Sequence, residues 1–538
     1  MRILLTLLCL LLALPVLGVL GTWFSFDASA WSGLTHQIQT VLGGYAVQSL
    51  LLSVGVAFGV AAVGAGAAAA VALFEFPGRR IFEWALLLPL AMPAYVLAYV
   101  YTDFLQFSGP LQSALRTLVG VEGALWPDVR SLPGAIVLFV LALYPYVYLL
   151  VRTSLAERGI HLMEAARLLG AGLWRRVSEV ALPLSRPALA AGVALALMET
   201  LADYGVGAYF GLTTLSTGIF KAWLVMNDRI AAAQIASVLL IVVAALLYAE
   251  RRARSTLRFA ATRISATDGR EARPVVLRGR LALLAWALCA LPVVLGFVLP
   301  LMLLSRLVWR EAAYGNVGLP WARFAQWCLN SFELAALAAF AAAALALALV
   351  FVLRVTSPRD PRTRALQAGT TLVSLGYAVP GTVIAVGILL PLGALQSQWP
   401  SLPLAALVTG TVAGLLFAYL VRFSAVALQT VEAGYTRLPP SLDDSARMLG
   451  ASRGRLLAQV HAPLLKRSLF AAMLLVFVDV MKELPATLVL RPFNSDTLAV
   501  VAYNLARDER LAEAALPSIA IVAVGLLPVL LLVRAMRR

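Results

Sequence analysis

Residues 164–183 read EAARLLGAGLWRRVSEVALP, and 280 positions later residues 444–463 read DSARMLGASRGRLLAQVHAP. Glu164, Ala165, Ala166, Gly170, Val180, Leu182 and Pro183 therefore align, without a gap, with Asp444, Ser445, Ala446, Gly450, Val460, Ala462 and Pro463. A polar, Ala-rich turn ending at glycine suits a short helix, because glycine can leave a helix at positive φ with no Cβ to clash. The proline thirteen residues further on suits the start of the next helix. One such loop is an ordinary helix end. Two in one register indicate a repeat.

Composition removes the soluble classes. The chain has 538 residues, 61% apolar and 13% charged, against about 25% charged in soluble chains. Apolar runs of about 20 residues recur along it, the length that crosses a bilayer as a helix. The net charge of +16 does not indicate nucleic acid, because the arginines lie between apolar runs and form no continuous basic face. Cys9, Cys289 and Cys328 show no metal-ligand spacing, and no disulfide framework is expected.

Arg2 precedes an apolar run, 3–20, whose counterpart is 281–305. That pairing favours a first span over a signal peptide. Further spans are expected near 48–74, 81–104, 133–152, 184–202 and 231–249, then near 331–353, 369–394, 403–421, 467–483 and 513–533. The expected fold class is an all-α polytopic membrane protein of about twelve transmembrane helices, six to each half. An even number per half gives both halves one orientation, so the repeat is parallel, about an axis along the membrane normal.

Cytoplasmic loops of such proteins are enriched in Arg and Lys. With both termini inside, Arg79, Arg80, Arg152, Arg175, Arg176, Arg354 and Arg447 fall in internal loops, while the first outer segment, 23–46, has no Arg or Lys. The division expected is a first repeat over 1–250 with an inner loop at 152–183, a cytoplasmic Arg-rich linker over 251–280, and a second repeat over 281–538 with an inner loop at 422–466. The linker also suits an anionic lipid surface. Smaller landmarks recur as well: Gln48-Ser49 with Asn330-Ser331, Pro93-Ala94 with Pro380-Gly381, and Tyr148 to Arg152 with Tyr419 to Arg422.

The paired loops resemble the EAA loop of permease subunits of ATP-binding-cassette (ABC) importers. In that family the loop is a coupling helix that docks into a groove of a cytoplasmic ATPase. The first copy matches closely, with Val180 where Ile is usual; the second departs at Asp444, Ser445, Val460 and Ala462. The resemblance implies ATPase-coupling roles for Glu164, Ala165, Ala166, Gly170 and Pro183, and for Asp444, Ser445, Ala446, Gly450 and Pro463. It implies two copies of an ABC ATPase and a periplasmic solute-binding protein as partners, in a bacterial inner membrane. The three lysines, Lys221, Lys466 and Lys482, follow Phe220, Leu465 and Met481, so the Gly-Lys-Ser/Thr of a phosphate-binding loop is missing. The chain is expected to be a non-enzymatic subunit holding no cofactor, with ATP bound by the partner.

A second matched pair lies further along. Glu199 and Asp203 stand 280 positions before Asp479 and Glu483. Acids spaced i,i+4 share one helix face. Sixteen residues beyond the starting proline, at about 1.5 Å each, places Glu199 and Asp479 roughly 24 Å up the helix. Ionisable groups at such depth are costly and normally face protein or a water-filled cavity. Glu199, Asp203, Asp479, Lys482 and Glu483 are therefore candidates for a substrate path; Lys482 as a lock that neutralises a neighbouring acid is the alternative. His36 is expected outside, and His161 and His461 at the surface beside the coupling loops; no metal site is expected from them.

The flanks carry a narrower resemblance. Lys482 to Leu488, Leu490 to Phe493 and Thr497 to Ala499 are similar to fused iron(III) permeases, as are Glu199 to Gly205, Tyr209 to Gly211, Thr217 to Ile219 and Asp228-Arg229. Carboxylates suit a hard cation such as Fe(III). Thiamine, polyamine or another small cationic solute would suit four acids beside one lysine equally well. A proton-coupled secondary transporter, with the four acids as proton carriers, has no need of an ATPase dock.

The topology is testable in a chain stripped of its native cysteines. Cysteines at Ser255 and Ser357 should be shielded from an impermeant thiol reagent in intact cells, and one at Ser32 labelled. Strong labelling at Ser255 would invert the orientation.

Overall fold

The computed structural model describes residues 2–24, 28–172, 175–261, 275–315, 318–357 and 359–536. Residues 262–274 of the expected linker, and the side chains of Glu164 and Ala165, lie outside the described residues. The architecture is all helical. Among the described residues the only sheet is a two-residue parallel pairing of Phe74–Glu75 with Val275–Val276. A chain surrounded by hydrocarbon must satisfy its own backbone, which helices do segment by segment.

Among the described residues ten helices are long and apolar enough to cross a membrane, and eleven if one bent pair counts as a span. The bent pair runs over Arg79–Ala91 and Ala94–Val119, at 90° to one another. The break falls at Pro93, which starts Ala94–Leu105; Pro380 likewise starts Gly381–Gln398 after the separate helix Pro361–Val373. Proline has no N–H and clashes with the preceding turn, so it begins a helix readily and continues one badly. The expected span at 467–483 lies in the helix Ala462–Lys482. Its Lys466, Arg467, Asp479 and Lys482 put at least three charges in any 18-residue stretch of it, so it is not among the ten. The span expected at 403–421 is displaced. A short helix, Leu404–Thr409, precedes Val412–Tyr435, whose start is capped by the Thr411 side chain accepting from the Ala413 N–H, as N-cap threonines do.

Two compact units form, and neither is contiguous in sequence. One comprises 1–36, 219–240 and 320–501. At its centre Trp321–Val355, Val412–Tyr435 and Ala462–Lys482 pack on one another. The buried face of the first is largely alanine, with Ala335, Ala338, Ala339, Ala342, Ala343 and Ala346 all inside. Small residues let helix backbones approach closely where no hydrophobic force drives helices together. The N-terminal helix Arg2–Gly21 belongs to this unit, against Pro361–Val373 and Gly381–Gln398. Its contact is tight: a Cβ at Gly387 would lie 2.1 Å from the Pro15 carbonyl oxygen. Arg2 is ion-paired to Asp360 at its end.

The other unit comprises 37–218, 241–319 and 502–538. Its centre is the matching trio Gly43–Leu73, Leu132–Leu168 and Leu182–Ala202. Here too glycine permits the approach, since a Cβ at Gly192 would lie 2.7 Å from the Val147 Cα. Arg280–Val293 packs on Gly43–Leu73, and Leu299–Tyr314 packs on the C-terminal helix Leu511–Met536.

Gly387→Ala puts a methyl group against backbone that cannot rotate away. It should lower stability by about 1–3 kcal/mol, the usual cost of overpacking, read as a lower unfolding temperature in detergent. Gly33→Ala, where a Cβ meets nothing within 4 Å, serves as the neutral control. Equal unfolding temperatures for the two variants would contradict the close packing of the N-terminal helix.

Candidate functional site

The two EAA-like loops have one backbone geometry. In the first, the Gly170 N–H donates to the Arg167 carbonyl at 3.0 Å and the Ala171 N–H to the Ala166 carbonyl at 3.0 Å. In the second, Gly450 donates to Arg447 at 2.9 Å and Ala451 to Ala446 at 3.0 Å. This pair of bonds closes a helix end around a residue in the left-handed region, and Gly170 and Gly450 have φ of +82° and +79°. A wide-turn helix follows each, Arg176–Ala181 and Leu456–His461, then the long helices Leu182–Ala202 and Ala462–Lys482. Every one of these boundaries keeps the offset of 280.

The loops differ in how they are entered. The first is the end of one 37-residue helix, Leu132–Leu168. The second is a separate nine-residue helix, Pro440–Met448, preceded by Pro439. The tandem prolines explain this, because the residue before a proline is driven out of the helical region.

Both loops present an apolar pair to solvent. Leu168 and Leu169 are 85% and 88% exposed, and Met448 and Leu449 are 90% and 88% exposed. Adjacent bare apolar side chains at the tip of a polar loop make each pair a candidate docking surface. The sequence signal was present and missed: each pair directly precedes the motif glycine, at the same offset of 280. Asp444 is exposed and lies 3.7 Å from Arg447, an arrangement of small energetic weight in water.

Beneath the second loop lies a buried polar network. Asp443 Oδ2 accepts from Arg354 Nε at 2.9 Å, and Asp443 Oδ1 bonds His461 Nε2 at 2.9 Å. His461 Nδ1 is 3.1 Å from the Tyr435 hydroxyl, and Arg354 also donates to the Leu438 carbonyl at 2.9 Å. His461 is 1% exposed, which corrects the expectation of a surface histidine. It is held inside by its carboxylate partner, by the edge of Phe351 and by Tyr435. Burial opposes ionisation of Asp443, but the bonds and charges of Arg354 and His461 outweigh it and hold the carboxyl below the usual aspartate range. The contribution of a lowered carboxyl pKa is present above the unfolded value and is lost as pH falls through the folded one.

The candidate path residues divide between the two units. Asp203 ends its long helix and accepts from the Val206 N–H at 2.8 Å, capping Gly205–Phe210. Glu483 does the same for Pro485–Leu490, accepting from the Ala486 and Thr487 N–H groups at 2.9 Å each. It also accepts from Arg422 at 3.3 Å, and its side chain is 1% exposed. Arg422, noted from sequence only as a repeat landmark, is thus the partner of Glu483. Lys482 Nζ lies 3.9 Å from Asp479, which is itself half-buried. Glu199 is half-buried and has no hydrogen bond or ion pair among the described residues. No three His, Cys, Asp or Glu side chains cluster in metal-binding geometry among the described residues.

Related proteins agree with the duplicated architecture. The chain resembles an Fe(3+)-transport system permease protein of Haemophilus influenzae, with 24% identity over 98% of this chain and 97% of that one. It also resembles a molybdenum transport system permease protein of Escherichia coli, 30% identical over 24% of this chain and 55% of that one. A putative 2-aminoethylphosphonate transport system permease protein of Salmonella paratyphi A is 27% identical over 43% of this chain and 85% of its own length. The family model for the binding-protein-dependent transport system inner membrane component matches twice, over residues 60–252 and 359–538. The chain is therefore a multi-pass transport permease subunit, a member of the binding-protein-dependent transport system inner membrane component family with the family unit present in each half.

Proposed function

We propose that this chain is the permease of an ATP-driven importer of ferric iron, with two cytoplasmic ATPase subunits seated on the loops that end at Gly170 and Gly450. A periplasmic binding protein hands over the substrate, and both termini lie in the cytoplasm of a bacterial cell. One observation carries the iron assignment: likeness along almost the whole chain to a protein named for Fe(3+) transport. Oxygen donors suit that ion, and Glu199 and Asp479 offer carboxylates at equivalent heights on the helices that follow the two docking loops. Each of these acids is a candidate contact for the passing cation, while Asp203 and Glu483, engaged as helix caps, hold the turns that follow the two helices. Another small solute is the second reading. It is favoured by the partial likenesses to permeases named for molybdenum and 2-aminoethylphosphonate.

The test is uptake into proteoliposomes holding the chain, its ATPase and its binding protein. ATP-dependent accumulation of Fe(III), and not of molybdate or 2-aminoethylphosphonate, is the expected result. Accumulation of one of the others with no iron uptake would replace the iron reading. In the same system Glu199→Gln with Asp479→Asn should cut cation uptake and leave the assembled complex intact. If that double variant transports normally while Lys482→Met alone abolishes folding, the acids serve as a helix lock.

The docking loops have a separate test. Leu169→Asp or Leu449→Asp removes an exposed side chain, so folding should be unchanged. Burying a leucine is worth about 1.5–3 kcal/mol, so ATPase affinity should fall by about ten- to a hundredfold. Unchanged affinity for both variants would place the ATPase elsewhere.

A further inference from the structure

The Asp443 network joins four elements that the second docking loop must move together. Asp443 belongs to the docking helix Pro440–Met448, Tyr435 ends the spanning helix Val412–Tyr435, and Arg354 lies in the last turn of Trp321–Val355. His461 closes the wide turn that leads into Ala462–Lys482. With the proton on His461 Nε2, that nitrogen donates to Asp443 while Nδ1 accepts from the Tyr435 hydroxyl. Arg354 donates to the other Asp443 oxygen and to the Leu438 carbonyl. Each of these groups then has a partner. A buried network with every member satisfied fixes one arrangement and resists partial change.

The first repeat cannot build this. At the offset of 280, Met163 stands for Asp443 and Ala181 for His461. The loop with the degenerate motif thus carries a polar tie that the residues at the matching positions of the first loop cannot form. An exposed short helix entered through Pro439 and Pro440 has no continuous helix behind it, whereas the first loop is the end of one. Some other connection has to carry its displacement into the spanning helices.

We infer that Asp443 is a positioning residue for transport: through His461, Arg354 and Tyr435 it makes the second docking helix and three spanning helices move as one body. The first docking helix is tied to its unit by helix continuity instead. This inference rests on the ATP-driven reading above.

The experiment uses the full chain with its ATPase and binding protein in proteoliposomes. The native cysteines are replaced, and one cysteine is placed at Phe470 on the helix Ala462–Lys482, where the side chain is exposed. Thiol labelling is followed with and without ATP trapped by vanadate. The rate should change on trapping in the otherwise unaltered chain. Asp443→Asn and His461→Ala should each reduce that change by about tenfold, the scale of coupling between linked sites, while ATP hydrolysis and co-purification persist. His461→Gln, which keeps a donor near the position of Nε2, should restore most of it. A triple variant, Arg354→Met with Asp443→Met and His461→Ala, removes the ionisable groups and places at 443 and 461 the residue types that the first loop carries at 163 and 181; it should assemble and remain uncoupled.

A full labelling change in Asp443→Asn or in the triple variant would overturn the inference, because packing alone would then suffice. So would loss of hydrolysis in step with loss of the assembled complex, which is a folding role. Labelling that ignores ATP even in the chain with an intact network would overturn the ATP-driven reading itself, and the inference with it.

Discussion

A backbone in hydrocarbon has no water to complete its hydrogen bonds, and this constraint organises the polar residues of both units. At several places where a long helix stops short, a side chain supplies the missing bond. Asp203 and Glu483 accept from the first N–H groups of the short helices that follow them. Ser49 accepts from the Leu215 N–H at 2.9 Å, and Ser331 accepts from the Leu498 N–H at 2.8 Å. Gln48 accepts from the Thr213 N–H, and Asn330 donates to the Asp496 carbonyl. The same few polar residues recur in both repeats because the same interruptions recur. Their first duty is to the fold. Glu199 and Asp479 lie within the long helices, short of these interruptions.

The repeat was legible because it is carried by local signals. Glycine at positive φ, proline at a helix start and an apolar run each act within a few residues, so an offset of 280 in sequence became the same offset in structure. What escaped depends on partners distant in the chain. His461 looked like a surface residue beside a polar loop; its burial needs Asp443, Tyr435 and Phe351 together. Glu483 looked like one of four equivalent acids, and only the fold shows Arg422 against it. The composition of the two units was also hidden. Sequence symmetry says which helices are equivalent, not which ones pack together, and the N-terminal helix packs with the second repeat.

Equivalence between the halves stops at the docking loops. The turn at the glycine and the bare apolar pair are held in common. Behind that surface the halves diverge: a continuous helix on one side, a proline-broken segment over a buried ion-paired network on the other. Duplication in one chain permits this, since each half is free to change while the contact surface stays the same. Departures from the motif at Asp444 and Ser445 are tolerable when the loop is held by Asp443 one residue earlier.

Stoichiometry tests the central claim most directly. Native mass spectrometry of the complex extracted from membranes should show one copy of this 57.4 kDa chain with two copies of the ATPase. A complex with a single ATPase, or two copies of this chain around one ATPase pair, would contradict the assignment of one docking loop to each half.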